Sequence, residues 1–218
     1  MDAPRAPTYT FHQEQRETGE QVIQNFTQHP VHPYVILLAQ MQSGKTGTYL
    51  YVALRMMKDI AVRRVVIVTG TSDRSLREQT NLDLENAIGQ FVETNKLSVY
   101  QYEVLKKKVH VHFGQDLESI QMIDTDTLII WDESHMAQSD INRPYRHVFG
   151  KFGLRDTLMG NFDELRRRNI RILSVSATPF SELACNQKIV LHVHTDAERK
   201  ALTPKFMNHK VVVTMKNS

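Results

Sequence analysis

Four short, continuous apolar runs constrain the fold more than any other feature of the 218-residue sequence. They are PYVILLA at 33–39, RVVIVT at 64–69, TLIIW at 127–131 and IRILSV at 170–175. Strands that are buried on both faces have this composition, because neither face of such a strand meets water. Segments with helical periodicity separate the runs, and this alternation is typical of a parallel sheet covered by helices. The sequence therefore predicts an α/β fold, with a mostly parallel sheet flanked by helices on both faces.

Other segments complete the predicted order of elements. Helices are predicted over about 12–27, from Lys45 to Lys58, from Ser72 or Asp73 to about Val92, and over 161–169. The alternating VHVHF at 109–113 predicts a further strand, and 188–193 and 210–214 are short β-rich segments. Ligands of open parallel sheets bind beyond the carboxyl ends of the strands. The loops that follow the apolar runs are therefore where a site is expected.

Composition excludes several classes of protein. Hydrophobic residues make up 41% of the chain and charged residues 23%, which excludes a disordered chain. The 27 Lys and Arg residues nearly balance 24 Asp and Glu residues, so any affinity for nucleic acid must come from a local groove. The single Cys excludes a disulfide framework and a zinc site built on several Cys residues. No apolar run approaches the roughly 20 residues that span a bilayer, and no signal peptide is evident, so a soluble intracellular protein is predicted.

The segment AQMQSGKTG at 39–47 lies between the first apolar run and a predicted helix. Amide groups of a loop in this position, together with the positive end of the helix, can bind phosphates. Lys45 then reaches the β- and γ-phosphates of a nucleotide, and the Thr46 hydroxyl binds Mg²⁺. The pattern G-x-x-x-x-G-K-[ST] is incomplete, because Ala39 replaces its first Gly and Gln42 stands where many such loops have another. The alternative is an accidental helix start. The predicted nucleotide-binding residues of the loop are Gln42, Ser43, Gly44, Lys45, Thr46 and Gly47.

Two further motifs end apolar runs. In DESH, the Asp132 carboxylate can hold Mg²⁺ and the Glu133 carboxylate can act as general base towards the attacking water. Adjacent acids at a strand end also occur as plain loop-start residues. In SAT, the small residues Ser176, Ala177 and Thr178 can link the carboxylates to a moving neighbour. A strand that ends in a Pro turn also explains that string.

QSGKT, DESH and SAT, in this order and each at a strand end, resemble the first RecA-like lobe of superfamily 2 helicases. Three strings narrow the resemblance to the helicase-like Z-one domain ATPases: QSGKT, TGTSDRSLREQT at 69–80 and SATPF at 176–180. The resemblance covers about Phe11 to Leu183. It implies a RecA-like P-loop NTPase that uses ATP and Mg²⁺ and contacts DNA or RNA mainly through the backbone.

The resemblance also implies catalytic roles. Lys45 and Thr46 correspond to the phosphate-binding and Mg²⁺-binding residues of the first motif. Asp132 and Glu133 correspond to the Mg²⁺-binding and water-activating pair of the second. His135 corresponds to the last position of the DExH motif, which helps to couple ATP to nucleic acid.

Further roles follow from the same resemblance. Ser176 and Thr178 correspond to coupling hydroxyls. Gln15, four residues after Phe11, corresponds to the Gln that reads adenine, and Gln13 is its rival. Candidate nucleic-acid contacts are Gly70, Thr71, Ser72 and Arg74 after the second apolar run, although an ordinary capped helix explains Ser72 equally well, and Gly114 and Gln115 after the strand at 109–113.

The expected organisation is a flexible tail at 1–10 and one RecA-like lobe at 11–218 with a short C-terminal extension. No second phosphate-loop motif and no Q-x-x-G-R-x-x-R string follows Pro179. In this superfamily a second RecA-like lobe supplies an arginine finger, so that lobe is expected from a longer chain or from a partner. The isolated chain is therefore predicted to hydrolyse ATP slowly.

Two other functions fit parts of the sequence. A P-loop kinase for a nucleoside or another small molecule is the first, with Arg166–Arg168 as lid arginines. A module that binds nucleic acid or a protein and uses nucleotide only as a switch is the second. His110 and His112 alternate on one strand, but no third metal ligand is evident, so they are interpreted as packed or solvated histidines.

Overall fold

The computed structural model describes residues 9–29, 31–38, 44–59, 61–69, 74–113, 117–120, 124–132, 148–154, 157, 161–176 and 212–214. Within them lie six strands: β1 (Tyr34–Leu38), β2 (Arg64–Thr69), β3 (Val109–Phe113), β4 (Thr127–Asp132), β5 (Arg171–Ser176) and β6 (Val212–Thr214). They form one sheet in the order β3-β2-β4-β5-β1-β6, in which every pair is parallel. The predicted α/β fold is confirmed, and the four apolar runs are its four central strands.

Helices connect these strands. In the described part of the chain they are α1 (Gln13–Thr27), α2 (Lys45–Lys58), α3 (Arg74–Thr94), α4 (Val99–Lys108) and α5 (Asp163–Arg167), with a 3₁₀ turn at Leu117–Ser119. The helix predicted from Lys45 to Lys58 has the observed bounds. The helix predicted over 161–169 is shorter than expected, and the β-rich segment at 188–193 lies outside the described residues.

Burial on both faces explains why the central strands are almost wholly apolar. Along β4, Leu128 and Ile130 pack into a core shared with α1, α2, α3 and α4. Ile129 and Trp131 point the other way, into a second core formed with α5 and the segments at 117–120 and 148–154. All four side chains are at most 1% exposed. Water therefore reaches the central strands only at their ends.

The carboxyl ends of four strands lie side by side. Leu38 at the end of β1 aligns with Ser176 at the end of β5. Asp132 at the end of β4 aligns with Thr69 on β2 and with Val175 on β5. We call this side of the sheet the carboxyl edge and the opposite side the amino edge. Because the sheet is parallel, the loops that follow DESH, SAT and the first apolar run all leave from the carboxyl edge.

Helix α4 has no counterpart in the sequence prediction. Ser98 caps it, since its side chain accepts a hydrogen bond from the Gln101 amide while the Gln101 side chain returns to the Ser98 amide. Only Leu105 of this helix is buried. A helix with one buried position has no apolar stripe, so periodicity cannot reveal it.

Helices α1 and α2 approach closely at Gly19. A Cβ atom there would lie 2.6 Å from a ring carbon of Tyr51, closer than packed atoms tolerate. Beside this contact, the Glu20 carboxylate accepts hydrogen bonds from Tyr51 Oη (2.6 Å) and Arg55 Nε (2.9 Å). Burial alone would raise the Glu20 pKa, but the hydrogen bonds from Arg55 and Tyr51 outweigh it and keep the pKa below its ordinary value. The carboxylate is therefore charged near neutral pH and ties α1 to α2.

Aromatic packing begins before the first helix. Tyr9, placed in the tail by the sequence analysis, packs edge-on against Phe11 with ring centroids 5.3 Å apart. Phe11 packs in the same way against Tyr51, so the packed part of the chain extends at least to Tyr9.

Among the helices that the structure describes, none combines the length and apolarity needed to cross a membrane.

We expect Glu20→Gln to lower the free energy of unfolding by about 0.5–1 kcal/mol at neutral pH, a modest value because water screens a carboxylate that is more than one-third exposed. The Glu20 pKa is lowered in the folded state, so its contribution is present above the ordinary pKa of 4.5 and is lost as the pH falls through the folded-state value. Urea titrations of both proteins between pH 7 and pH 3 should therefore converge in acid. Glu17→Gln, at an exposed acid on the same helix, is the control and should change little.

Candidate active site

A lysine and a carboxylate meet at the carboxyl edge. Lys45 is the first residue of α2, and its Nζ lies 3.9 Å from Oδ1 of Asp132 at the end of β4. Their side chains are only 14% and 13% exposed. Burial lowers the pKa of the Lys45 ammonium, and the Asp132 carboxylate opposes that shift in part. The site therefore holds one positive and one negative group with little water between them.

Tyr49 extends this pair. It is one turn after Lys45 on α2, 1% exposed, and its Oη donates a hydrogen bond to Oδ2 of Asp132 at 3.4 Å. Burial, followed by the charge of Asp132, raises the Tyr49 pKa well above 10, so the hydroxyl keeps its proton. The sequence analysis missed this residue, because a helix position that faces the core is interpreted as packing.

Gln15 lies against the start of α2. Its Nε2 donates to the Gly44 carbonyl at 3.0 Å, and its Oε1 accepts from the His12 amide at 2.9 Å. The side chain is 9% exposed. The rival Gln13 is exposed on the outer side of α1 and donates to Glu17. Of the two candidates, only Gln15 contacts the part of the phosphate-loop segment that the structure describes, at Gly44.

Two glycines make room for Gln15. Gly44 has a φ of +78°, a left-handed conformation that favours glycine. A Cβ atom on Gly44 would lie 2.7 Å from Nε2 of Gln15, and one on Gly47 would lie 2.6 Å from its Cδ. Both distances are too short for packed atoms. The glycines of the predicted loop thus allow close approach by α1, and this requirement was not evident from the sequence.

A family model matches most of the chain. The model described as type III restriction enzyme, res subunit (ResIII) matches residues 8–181, well over half of the chain. The chain belongs to the ResIII family. ResIII domains are superfamily 2 ATPase domains with a RecA-like fold, so the predicted superfamily and fold are confirmed.

The ResIII match supports an ATP-binding, helicase-like lobe, and helicase-like ATPase domains of this kind generally use ATP and Mg²⁺. It spans Gln15, Lys45, Asp132 and Ser176, which the structure brings to the carboxyl edge or beside it. No curated relative matches the chain. The narrower likeness to Z-one domain ATPases is not shown by this match and stays a prediction.

Ser176 is fully buried at the end of β5, one strand away from Asp132. Side chains alternate along β5, and Ile172 of that strand belongs to the second core. Ser176 therefore points to that face, whereas Asp132 and Tyr49 lie on the face of α2. Among the described residues, the Ser176 side chain and the Asp132 carboxylate therefore lie on opposite faces of the sheet.

Several predicted site residues lie outside the described residues. Arg74 begins α3 at the carboxyl edge, but its side chain is not described either. The residues outside the description are Gln42, Ser43, Gly70, Thr71, Ser72, Gly114, Gln115, Glu133, His135, Ala177 and Thr178.

Arg77 is a further cation at the carboxyl edge that the sequence analysis did not name. Its guanidinium lies 4.6 Å from the ring centroid of Phe113, the last residue of β3. Phe113 aligns with Thr69 at the end of β2. Arg77 therefore stands next to the points where the loops after β2 and β3 begin.

The lid arginines of the kinase hypothesis lie elsewhere. Arg166 pairs with Asp163, and Arg167 and Arg168 pair with Glu164. Helix α5 precedes β5, so these arginines are at the amino edge, across the sheet from Lys45. They stabilise turns there and do not face the phosphate-loop segment.

The metal-binding potential of the described residues is limited. Among them, no group of three or more His, Cys, Asp or Glu side chains is placed to hold a metal ion. His110 and His112 have ring centroids 6.3 Å apart on β3. A Mg²⁺ ion that is bound with a nucleotide needs fewer protein ligands, because phosphates and waters complete its coordination. The oxygens of Thr46 and Asp132 fit that requirement.

We expect Gly47→Ala to destabilise the protein by about 1–3 kcal/mol, because the added methyl group overlaps the Gln15 side chain. Urea unfolding followed by circular dichroism measures the change. Gly89→Ala is the matched control: nothing lies within 4 Å of its Cβ position on α3, and alanine should stabilise that helix by up to about 1 kcal/mol. The loss should largely disappear in a Gln15→Ala background. An equal loss with and without Gln15 would contradict the close contact.

Proposed function

We propose that this chain is the ATP-hydrolysing lobe of a nucleic-acid-dependent superfamily 2 helicase or translocase. The observation that carries the proposal is the contact between Lys45 and Asp132 at the first turn of α2. A phosphate-binding ammonium and a Mg²⁺-binding carboxylate are the two charged groups that this chemistry needs. The ResIII match supports the proposal at the level of the superfamily.

Binding of the triphosphate follows from the start of α2. The amides at Gly44–Gly47 and the positive end of the helix attract phosphate oxygens. The Lys45 side chain is already partly withdrawn from water, so its ammonium can exchange the Asp132 carboxylate for a phosphate at a reduced cost of desolvation. Thr46 and Asp132 would hold Mg²⁺, which when bound neutralises charge on the phosphates.

Gln15 is suited to reading the base. Its contacts with Gly44 and His12 use one hydrogen of Nε2 and one lone pair of Oε1, and a carboxamide has two of each. Adenine offers an acceptor at N7 and a donor at N6, which match the remaining pair. We therefore assign adenine recognition to Gln15 rather than Gln13. Because Gln15 also donates a hydrogen bond to the Gly44 carbonyl, binding of the base and binding of the phosphates both affect the start of α2.

The remaining roles are proposed from the sequence motifs. Glu133, which follows Asp132 directly, orients and deprotonates the attacking water. His135, Ser176, Ala177 and Thr178 couple hydrolysis to nucleic acid, and a second lobe supplies the arginine finger, which is worth a factor of about 10³–10⁵ in rate. The narrower assignment to the Z-one group rests on the QSGKT, TGTSDRSLREQT and SATPF strings.

The test is binding of a fluorescent ATP analogue together with single-turnover hydrolysis, with and without single-stranded and duplex DNA and RNA. We expect slow hydrolysis by the chain alone. Lys45→Ala and Asp132→Asn should reduce the rate by about 10²–10³-fold, because each removes a charged group at the phosphates. Glu133→Gln should still bind the analogue and lose hydrolysis. Lys58→Ala, at an exposed lysine on the same helix, should behave as wild type.

Four results would contradict parts of this proposal. ATP hydrolysis that persists in Lys45→Ala would exclude this site as the place of hydrolysis. Brisk turnover by the isolated chain would exclude the need for a second lobe. Transfer of phosphate to a nucleoside without stimulation by nucleic acid would favour the kinase, and nucleic-acid binding without hydrolysis would favour the switch module.

Arg77 is proposed to contact a nucleic-acid phosphate, since it stands at the loops after β2 and β3. We expect Arg77→Ala to weaken binding to all sequences alike and to reduce the slope of log K against log[salt] by about 1. Fluorescence anisotropy at several salt concentrations measures both quantities. The control is Arg63→Ala, at an arginine with an 81% exposed side chain beside the amino edge. An unchanged slope for Arg77→Ala would remove it from the nucleic-acid surface.

A further inference from the structure

One hydroxyl contacts a carboxylate proposed to hold Mg²⁺. Tyr49 Oη donates to Oδ2 of Asp132 at 3.4 Å. Thr46, the other residue proposed to hold the ion, lies three residues before Tyr49 on α2. The hydroxyl is therefore placed beside one of the two groups that would bind the ion.

We propose that Tyr49 is a positioning residue, which sets the Asp132 carboxylate for the metal ion of a bound nucleotide. This inference rests on the proposed function and assigns a further residue to the same site. Tyr49 touches neither the nucleotide nor the ion in this scheme. It acts through Asp132, which would bind the ion.

The two oxygens of Asp132 face different partners. Oδ1 is 3.9 Å from Lys45 Nζ, and Oδ2 is 3.4 Å from Tyr49 Oη. When a phosphate replaces Asp132 as the partner of the Lys45 ammonium, Oδ1 loses its contact with Lys45, whereas Oδ2 keeps its contact with Tyr49. Tyr49 thus prevents rotation of the carboxylate and leaves Oδ1 directed to the ion.

Helix geometry makes the arrangement possible. Thr46 and Tyr49 are three residues apart on α2, and Lys45 and Tyr49 are four apart, so all three share one face. That face meets the end of β4, where Asp132 follows the buried residues of the strand. Tyr49 itself is fixed by the core around it, since it is 1% exposed. Because the ring is held rigidly, its hydroxyl stays beside Asp132 even though the contact is long.

The length of the contact also fits a positioning role. Hydroxyl-to-oxygen hydrogen bonds are usually 2.7–2.8 Å long, so 3.4 Å is a loose contact. Hydrogen bonds in nucleotide-free or substrate-free sites are often long and tighten in the complex. A role limited to packing makes a different prediction, because a phenylalanine ring fills the same space and would leave metal binding unchanged.

The test uses Tyr49→Phe, which keeps the ring and removes the hydroxyl. Its matched control is Tyr51→Phe, two residues along α2, where the lost hydroxyl bonds Glu20 instead. A fluorescent ATP analogue is titrated into each protein in EDTA and at increasing MgCl₂. Thermal unfolding verifies that each variant is folded. No catalytic turnover is needed.

We expect Tyr49→Phe to raise the Mg²⁺ concentration at half-maximal binding about tenfold, the low end of the usual effect for residues that support metal ligands. Binding in EDTA should change less than twofold. Tyr51→Phe should leave the Mg²⁺ midpoint unchanged.

Two results would overturn the inference alone: an unchanged midpoint in folded Tyr49→Phe, or an equal loss of binding with and without Mg²⁺. Wild-type protein that binds no analogue, or binds it regardless of Mg²⁺ and of Lys45→Ala, would overturn the proposed function and this inference with it.

Discussion

Burial of the sheet on both faces is the constraint on which the rest of the structure depends. Strands covered on two sides must be mainly apolar along their length, and the four central strands are almost wholly so. Such strands offer solvent only their ends. Parallel order then gathers all the carboxyl ends at one edge, where Asp132 ends β4 and Leu38 ends β1. The place of the site thus follows from the hydrophobic effect and strand direction, before any catalytic residue is considered.

The packing of α1 against α2 places Gln15 beside the candidate site. The two helices approach closely at Gly19 of α1, beside Tyr51, and at Gly47 of α2, beside Gln15. Glu20 fixes the same contact with charged hydrogen bonds. Because Gln15 is held by this packing and also bonds Gly44, a shift of α1 would move Gln15 and the Gly44 segment together. One helix contact therefore links the groups proposed to bind the base and the phosphates.

Much of the fold was predictable, whereas the finer contacts of the site were not. The bounds of α2 and β2 follow from the phosphate-loop motif and from a continuous apolar run, both strong local signals. Helix α4 leaves no such signal, since only Leu105 is buried. The choice of Gln15 over Gln13 depends on how α1 is rotated against α2, which no local pattern records. Tyr49 was missed for a similar reason: its partner Asp132 is 83 residues away, and only the folded sheet brings them together.

The pairing of β1 has a consequence for folding while the protein is being synthesised. Leu38 aligns with Ser176 of β5 on one side and with Thr214 of β6 on the other. Of the six strands that the structure describes, β1 is synthesised first, and its neighbours β5 and β6 are synthesised last. Until then its backbone amides and carbonyls lack the two strands with which they pair in the folded sheet. Contacts between such distant segments slow folding and prolong exposure to aggregation. The strand that leads into the phosphate loop therefore precedes the other described strands in synthesis and is among the last of them to complete its pairing.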